Sequence, residues 1–515
     1  MTIQARRHLI PGIPLIIQNS LGQTVYAQQL SDSSPSVDTD FVLYIDSNNE
    51  AACVSNNGEF RLSLSEGNVI GVATLDNSLK WIIDKSGTRI IRKSPLRCTA
   101  NIRQGISKLV CFFGNGQSQE AARSSYPIIH QDSVDSGRAF RFNGGVRPLG
   151  SQSTPEVDIE VDYQEIINLA PLKEIRQGND GETIYSSFAE SLIPDLTDNE
   201  GIMCVTAGIG AQAYAELCRG QAPFTNLSHY VGRMALICEL LGLEFEIGGF
   251  MWCQGGADSG DTVSEYLTKM QNYYDDCQDI AAMVNQTDVP LFLSQMTHNS
   301  TTDMTVARAQ LQASLDETRN IYCVCPEYIF PSCHDEYNQN VPGVIDDTTH
   351  ISSRGQSWRG AYYARCVSSV RSAIAYEPLR CISATRSGTL VDLAFNISAP
   401  NIVPPLILGN SHIDDPENYG FTWIDDGDGN SVTITNVELI SENEAVRLTL
   451  SAEPTGANPK IGIATSASTN TPNYQGPIEG ARSSVHDSST DVKIISGVSH
   501  NMYNFLSSNL IDVVI

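Results

Sequence analysis

The stretch Leu109-Val110-Cys111-Phe112-Phe113-Gly114-Asn115-Gly116-Gln117-Ser118 decides the fold class of this 515-residue chain. Five consecutive apolar residues are typical of a strand that is buried on both faces, and the glycines that follow them indicate a tight turn. A serine at a strand-to-helix turn has its hydroxyl exposed above the sheet, beside backbone N–H groups that can bind an oxyanion. Ser118 is therefore a candidate nucleophile.

Further apolar segments alternate with amphipathic helices between residues 106 and 375, at 203–205, 245–252, 289–293 and 321–325. The clearest helix begins with a capping box, Thr262-Val263-Ser264-Glu265, and has apolar residues on one face. Alternating strands and helices predict an α/β domain with a parallel sheet that is covered by helices on both faces. Functional residues in such sheets gather at the carboxyl ends of the strands.

The regions on either side of this domain have short β-type segments. In residues 1–105, the stretches 41–45, 60–64, 81–83 and 88–92 predict a small β domain, with a hairpin turn at residues 84–87. In residues 376–515, strands at 390–397, 419–424, 431–434 and 446–450 predict a β-sandwich. The apolar end, residues 510–515, is expected to pack as a strand or against a neighbouring chain.

Composition and charge exclude several classes of protein. There are 32 Lys and Arg residues against 59 Asp and Glu, and the net charge of −27 argues against nucleic-acid binding. No apolar run approaches the roughly 18 residues that a membrane span needs. Pro11 and Pro14 interrupt the apolar run 9–17, so we expect no signal peptide. Thirteen scattered cysteines indicate buried reduced thiols and synthesis in a reducing cytoplasm.

A second polar segment, Asp347-Thr348-Thr349-His350, supplies a candidate general base. A carboxylate three residues before a histidine can accept the Nδ1–H of the imidazole, which leaves Nε2 free to take a proton from a serine hydroxyl. Asp346 is also acidic, and only the spacing favours Asp347 as the residue that orients His350.

Two more segments follow strand candidates and contain possible oxyanion donors. Gly210 lies in Ala207-Gly208-Ile209-Gly210-Ala211, and Gln254 lies in Trp252-Cys253-Gln254-Gly255-Gly256-Ala257-Asp258. A glycine N–H can approach a tetrahedral intermediate without steric hindrance, and a glutamine amide can donate a second hydrogen bond.

Taken together, Gly-Gln-Ser, a later Gly, Trp-x-Gln-Gly and Asp-x-x-His resemble the SGNH hydrolases, specifically the branch that contains sialate O-acetylesterases. The resemblance covers residues 107–373 and implies an SGNH-type, flavodoxin-like sheet. It makes Ser118 the nucleophile, His350 the base and Asp347 its orienting residue. Gly210, Gln254 and the Ser118 N–H would form the oxyanion hole. It implies a carbohydrate O-acetylesterase that uses no metal and no cofactor.

This chain departs from the family pattern at two positions. The family usually has Asn after the nucleophile, where this chain has Gln119, and Glu after Gln-Gly, where this chain has Gly256. The missing Glu leaves the orientation of Gln254 open. Because of Gly256, an alternative is a virion receptor-binding or adaptor protein whose hydrolase core is inactive. A lipid esterase of the same superfamily is a further alternative, although its usual Gly-Asp-Ser motif is absent here.

A second resemblance comes from the flanks of the middle domain. The segments 379–388, 419–421 and 480–488 are similar to those of phage tail-associated esterases. This resemblance implies a homo-oligomer, usually a homotrimer, that is made in the host cytoplasm and assembled into the virion tail. The N-terminal domain would attach to other tail proteins, and the substrate would be an O-acetylated bacterial surface polysaccharide.

Two possible metal sites are not favoured by their surroundings. Residues 426–430 have acidic spacing, but Ser431 and Val437 stand where a calcium loop needs Gly and Glu, so a hairpin turn between residues 423–424 and 432–433 is expected instead. Cys323, Cys325, Cys333 and His334 have no matching second pair of zinc ligands and are interpreted as core residues.

Overall fold

The computed structural model describes residues 101–148, 161, 163–297, 304–409, 411–427, 432–465 and 476–515, and the backbone of nine strands before them. These strands are β1 (Leu15–Gln18), β2 (Thr24–Ala27), β3 (Val42–Ile45), β4 (Glu50–Val54), β5 (Phe60–Leu62), β6 (Gly71–Ala73), β7 (Ser78–Ile83), β8 (Arg89–Ile90) and β9 (Ser94–Pro95). β7 and β8 are antiparallel, with Ile82 opposite Ile90, so the predicted pairing of these two strands is confirmed.

The central sheet has seven strands, β10 (Lys108–Gly116), β11 (Ala139–Phe142), β12 (Leu169–Pro171), β13 (Glu200–Thr206), β14 (Glu244–Cys253), β15 (Leu291–Gln295) and β16 (Ile321–Pro326). Their spatial order is β12-β11-β13-β10-β14-β15-β16. All neighbouring pairs are parallel except β11 and β12. The parallel sheet was predicted from the sequence, whereas the two short strands β11 and β12 were not.

Seven α-helices accompany the sheet in the described residues: α1 (Tyr185–Leu192), α2 (Tyr214–Leu217), α3 (Ala222–Leu241), α4 (Val263–Met283), α5 (Thr305–Ala313), α6 (Cys333–Asn338) and α7 (Ser353–Arg371). The capping box at the start of α4 is confirmed. The Thr262 side chain accepts the Glu265 N–H, and the Glu265 carboxylate accepts the Thr262 N–H.

Side chains of β10 point alternately into two separate cores, one on each side of the sheet. Leu109, Cys111 and Phe113 pack with residues of α3 and α4. Val110 and Phe112 pack with residues of α1 and α7. This arrangement confirms the prediction of helices on both faces.

The C-terminal region has eleven strands, β17 (Cys381–Ser387), β18 (Leu390–Phe395), β19 (Ile407–Leu408), β20 (Phe421–Ile424), β21 (Ile434–Ile440), β22 (Ala445–Leu450), β23 (Lys460–Ile463), β24 (Val485–His486), β25 (Val492–Ile495), β26 (Val498–Asn501) and β27 (Asn509–Val514). Seven of them form one sheet in the order β20-β23-β27-β17-β18-β22-β21, and the other four form two short ribbons. The region is rich in strands, as predicted. The two end strands of this order, β20 and β21, contact each other, and strands from both halves of the order share one core. The division into two facing sheets of a sandwich stays a prediction.

Strand pairing corrects one local prediction and confirms another. β20 pairs with β23, and β21 pairs with β22, so the hairpin expected between residues 423–424 and 432–433 is wrong. Each of the two strands pairs with a different strand of the sheet. The apolar C-terminal segment is a strand, because β27 lies between β17 and β23.

The C-terminal sheet is joined to the central domain by buried hydrogen bonds. The Gln295 amide donates to the Ser508 carbonyl at 2.9 Å and accepts the Ser508 N–H at 2.8 Å. The hydroxyl of Tyr362 donates to the Tyr503 carbonyl at 2.7 Å. Because these contacts satisfy backbone groups of residues 503 and 508, the segment that leads into β27 is fixed to the central domain.

Membrane-spanning and disulfide-forming features were sought in the described part of the chain. No helix there is both long and apolar enough to cross a bilayer. The eleven cysteines there are all free, and ten of them are buried. The prediction of buried reduced thiols is confirmed for these residues.

A charged cluster around His130 connects three elements of the fold. The Nδ1 of His130 pairs with Glu182, its Nε2 lies 3.7 Å from Glu190, and Glu190 also pairs with Lys493 of β25. Burial alone would lower the pKa of His130, but its hydrogen bonds to Glu182 and Glu190 raise the pKa to about 9. His130 is therefore a protonated link between the two carboxylates at neutral pH.

Loss of the His130 proton should destabilise the protein at alkaline pH. Because the pKa is raised from 6.5 to about 9 in the folded state, the contribution is complete below about pH 6.5 and is lost as the pH rises through about 9. Its upper bound is about 3 kcal/mol. We expect the free energy of unfolding in urea to fall over this range for the wild type and to fall less for His130→Gln. Equal pH dependence in both proteins would contradict the assignment.

Candidate active site

The carboxyl ends of β10, β13 and β14 meet at one edge of the central sheet. In the segment that follows β13, the N–H of Ala207 donates to the Gly114 carbonyl and the N–H of Ile209 to the Gly116 carbonyl, both at 2.9 Å. On the other side, the Gln117 N–H donates to the Cys253 carbonyl of β14 at 2.9 Å. The structure thus brings the segments of Ser118, Gly210 and Gln254 to the same place.

Gly116 makes this close approach possible. Its φ is +152°, and a Cβ at this position would lie 2.2 Å from the Cys253 carbonyl oxygen. After Gly116 the chain turns, with the Arg123 N–H donating to the Ser118 carbonyl at 2.9 Å, and the next α-helix in the described residues begins only at Tyr185. The expected strand-to-helix turn is therefore wrong, because a compact non-helical turn follows Ser118 and carries the side chains described below.

Two of the three predicted oxyanion donors are available to a ligand. The backbone N–H groups of Ser118 and Gly210 make no hydrogen bond with any residue that the structure describes. Ser118 is 9% exposed, so water has limited access to this residue. Backbone donors in such surroundings bind a developing oxyanion more strongly than they would in water.

Asp347 and His350 form a hydrogen-bonded pair. Nδ1 of His350 lies 2.8 Å from Oδ2 of Asp347, while Oδ1 accepts the N–H groups of Thr349 at 2.9 Å and of His350 at 3.2 Å. Asp346 turns the other way and contacts Nδ1 of His334 at 2.6 Å. The structure therefore selects Asp347, which the sequence favoured by spacing only.

The surroundings of Asp347 keep it ionised. Burial by itself would raise the pKa of this carboxyl group, but the hydrogen bond and charge of His350 and the hydrogen bonds from Ser124 and the Thr349 N–H lower the pKa well below its usual range. An ionised Asp347 can accept the Nδ1–H of the imidazole and stabilise the imidazolium that forms during acyl transfer.

Gln119 connects the turn of residues 117–124, which carries the candidate nucleophile Ser118 and is called the nucleophile turn below, to the loop of residues 346–350. Its Nε2 donates to the Thr349 carbonyl at 2.8 Å, and its Oε1 accepts the Ile351 N–H at 3.2 Å. The backbone on both sides of His350 is thus held by the residue that follows Ser118. In this state the Ser118 hydroxyl makes no hydrogen bond with His350 or any other described residue. The hydrogen bond between a serine and its general base is often long in unliganded structures and shortens when substrate binds.

Gln254 is oriented by residues that the sequence comparison did not identify. Its Nε2 donates to the Asp258 carboxylate and, at 3.4 Å, to the Gln212 carbonyl, and its Oε1 accepts the Tyr266 hydroxyl at 2.7 Å. Asp258 thus supplies a carboxylate beside Gln254, although position 256 has Gly in place of the Glu that the resemblance predicts. For Gln254 to donate to an oxyanion, its Nε2 must give up the weak hydrogen bond to the Gln212 carbonyl.

A fully buried ion pair lies beneath the site. Arg359 of α7 contacts Glu327 at 2.8 Å and donates to the Gln119 carbonyl at 3.0 Å, and both charged groups also contact the Cys253 thiol at 3.2 Å. This network connects the nucleophile turn, the end of β14 and α7. Sequence reasoning missed Glu327 and Arg359, because neither lies near a recognised motif.

The candidate zinc residues are engaged in the protein interior or with other side chains. Cys323, Cys325 and Cys333 are buried thiols, and His334 contacts Asp346. In the described residues there is no group of three or more His, Cys, Asp or Glu side chains that could hold a metal ion. Of the calcium-like segment 426–430, residues 428–430 lie outside the described residues, as does Ser431.

Residues 152–369 match a family model described as a carbohydrate esterase, sialic acid-specific acetylesterase. The matched segment contains Gly210, Gln254, Asp347 and His350, and it begins after Ser118. No curated protein is a significant match to the chain.

Solved structures show weaker likenesses. A carbohydrate acetylesterase from Xanthomonas citri is 11% identical, with 97% of this chain and 96% of that chain covered and a TM-score of 0.45. NanS is 13% identical over 52% of this chain and 99% of its own, with a TM-score of 0.38. A protein from Arabidopsis thaliana is 16% identical over 51% and 98%, with a TM-score of 0.35. TM-scores this low carry no argument about this chain. The similarity of its middle domain to carbohydrate esterases rests on the family model.

Proposed function

We propose that the middle domain is a serine esterase that removes O-acetyl groups from a carbohydrate. The observation that carries this proposal is the His350–Asp347 pair, at 2.8 Å, held against the Ser118 turn by the two hydrogen bonds of Gln119. The free N–H groups of Ser118 and Gly210 add donors for an oxyanion. The match of residues 152–369 to a carbohydrate esterase family supports the choice of substrate class.

The proposed reaction follows the arrangement of these groups. As Ser118 Oγ bonds to the acetyl carbonyl carbon, its proton passes to Nε2 of His350, and the carbonyl oxygen becomes an oxyanion that faces the Ser118 and Gly210 N–H groups. The bond to the sugar oxygen then breaks, and that oxygen takes the proton from His350. Water repeats the sequence on the acetyl-Ser118 ester, which releases acetate and restores the serine.

Acetate release from an O-acetylated polysaccharide tests the proposal. We expect the full-length wild type to release acetate and Ser118→Ala to be slower by about 10³-fold or more. Equal, slow release by both proteins would instead support the inactive receptor-binding or adaptor alternative, which Gly256 suggested. Faster cleavage of long-chain acyl esters than of acetyl esters would support a lipid esterase. Since Asp258 holds Gln254, we favour an active enzyme.

We further propose that the substrate carries a negative charge, as sialic acids and many surface polysaccharides do. The protein has a net charge of −27, so local positive charge must offset repulsion near the site. Arg123 belongs to the nucleophile turn, where its N–H donates to the Ser118 carbonyl at 2.9 Å. Its guanidinium makes no hydrogen bond or ion pair within the part of the chain that is described.

Arg123→Gln should therefore reduce kcat/KM for an acetylated sugar with a carboxylate by about 10-fold. It should leave hydrolysis of the neutral ester p-nitrophenyl acetate unchanged, because the acylation groups are intact. Lys173→Gln removes the same charge outside the nucleophile turn and serves as the control. An equal loss with charged and neutral esters, or an equal loss in both variants, would contradict a role for Arg123 in substrate charge recognition.

The setting we propose is a phage tail, where the chain would act as a homo-oligomer on a bacterial surface polysaccharide and bind other tail proteins through residues 1–105. Support comes from the resemblance of segments 379–388 and 480–488 to tail-associated esterases. In this setting the protein is made in the host cytoplasm and resides in the virion. A solution mass of three chains by light scattering is expected, and a mass of one chain would count against the proposal.

A further inference from the structure

Ser124 lies in the turn after the nucleophile and is buried in an unusual backbone conformation. Its φ is +61°, a region that residues other than glycine rarely adopt, and its side chain is 3% exposed. Its N–H donates to the Asn179 carbonyl at 2.7 Å, and its carbonyl accepts the Cys333 thiol at 3.3 Å. Both backbone groups are thus fixed by the surrounding structure, which maintains the strained conformation.

This conformation directs the Ser124 hydroxyl to the Asp347 carboxylate. Ser124 Oγ lies 2.6 Å from Oδ2, the same oxygen that contacts Nδ1 of His350 at 2.8 Å. An ionised carboxylate can only accept, so the serine hydroxyl must be the donor. With two N–H groups on Oδ1, the carboxylate has four donors, and Ser124 is the one that does not come from the Asp347–His350 loop.

We propose that Ser124 is a positioning residue, which fixes the rotamer of Asp347 and thereby the ring of His350 relative to Ser118. The inference rests on the proposed function, since it concerns the same site. Without the Ser124 hydroxyl, Oδ2 would be held by His350 alone, and the carboxylate could rotate away with the ring. Gln119 acts in parallel, because it fixes the backbone of the same loop to the same turn.

Kinetics of Ser124→Ala test this role. We expect kcat for acetate release to fall about 10- to 100-fold with little change in KM, because substrate binding does not involve Asp347. The pH profile should keep its wild-type shape, because His350 and the Thr349 N–H still hold the pKa of Asp347 well below its usual range. The other titratable groups around Asp347 are His350, Cys333 and His334, which the substitution leaves in place.

Two further variants separate positioning from folding. Ser124→Gly also removes the hydroxyl but relieves the positive φ, so it should melt at a higher temperature than Ser124→Ala and be just as slow. Ser186→Ala removes another buried hydroxyl, which donates to Glu174 at 2.9 Å, and should retain full activity.

The outcomes distinguish this inference from the proposed function. If the wild type shows no Ser118-dependent acetate release, the proposed function fails. If release depends on Ser118 but Ser124→Ala and Ser124→Gly keep the wild-type kcat, only the positioning role is overturned. A loss of activity in Ser124→Ala that Ser124→Gly restores would also overturn it, because backbone strain and not the hydroxyl would then be responsible.

Discussion

His350→Ala should lower kcat for acetate release by about 10³-fold or more, without a comparable change in KM. The imidazole lies on the loop that Gln119 holds against the Ser118 turn, and an unassisted serine hydroxyl is a poor nucleophile near neutral pH. Asp347→Asn should have a loss of similar order, because an amide in that position can no longer select the tautomer with a proton on Nδ1.

The neighbouring His334–Asp346 pair provides a matched control for this prediction. Its Nδ1–Oδ1 distance is 2.6 Å, similar to that of the His350–Asp347 pair, and its histidine lies on helix α6. His334→Ala should keep kcat within about 3-fold of the wild type, because Gln119 does not hold His334 against the nucleophile turn. Equal losses in His334→Ala and His350→Ala, or no loss in either, would contradict the assignment of the base.

Arg359→Met should destabilise the protein by about 3–5 kcal/mol, because it leaves the Glu327 carboxylate buried without its cation. Both side chains have zero exposure, so water cannot replace the lost partner. Since Arg359 also donates to the Gln119 carbonyl, the nucleophile turn should loosen and activity should fall in the protein that remains folded. Urea unfolding at pH 7 measures the first effect, and kcat measured well below the melting temperature measures the second.

The double variant Arg359→Met/Glu327→Gln separates charge burial from packing. Removing both charges should recover a large part of the stability, because no unpaired ion is left in the interior. If the loss in the free energy of unfolding of the double variant equals the sum of the losses of Arg359→Met and Glu327→Gln, the ion pair is not the origin of the destabilisation.

The parallel sheet could be predicted because its strands are continuous apolar runs and its helices have apolar faces. The run 109–113 is apolar throughout because both cores contact it. The C-terminal region was harder to predict. β20 and β21 are near in sequence but pair with β23 and β22, and short alternating strands carry no information about which partner they choose.

The site residues also fall into two groups, those that a local sequence motif marks and those that only a contact with a distant residue reveals. Ser118, Asp347 and His350 could be proposed because their motifs are local. Ser124, Glu327 and Arg359 act through contacts between residues 32 to 240 positions apart, and nothing in the neighbouring sequence marks them. Asp258 was visible in the Gln254 segment, but its role depends on a turn that brings the carboxylate back to the amide.

Covalent labelling tests most directly the central claim that Ser118 is a nucleophile activated by His350. We expect a fluorophosphonate to add one label to the wild-type protein, on the peptide that contains Ser118. Labelling should be absent in Ser118→Ala and strongly slowed in His350→Ala, while His334→Ala reacts like the wild type. A label on another residue, or a wild-type protein that hydrolyses acetyl esters while Ser118 stays unreactive, would contradict the account.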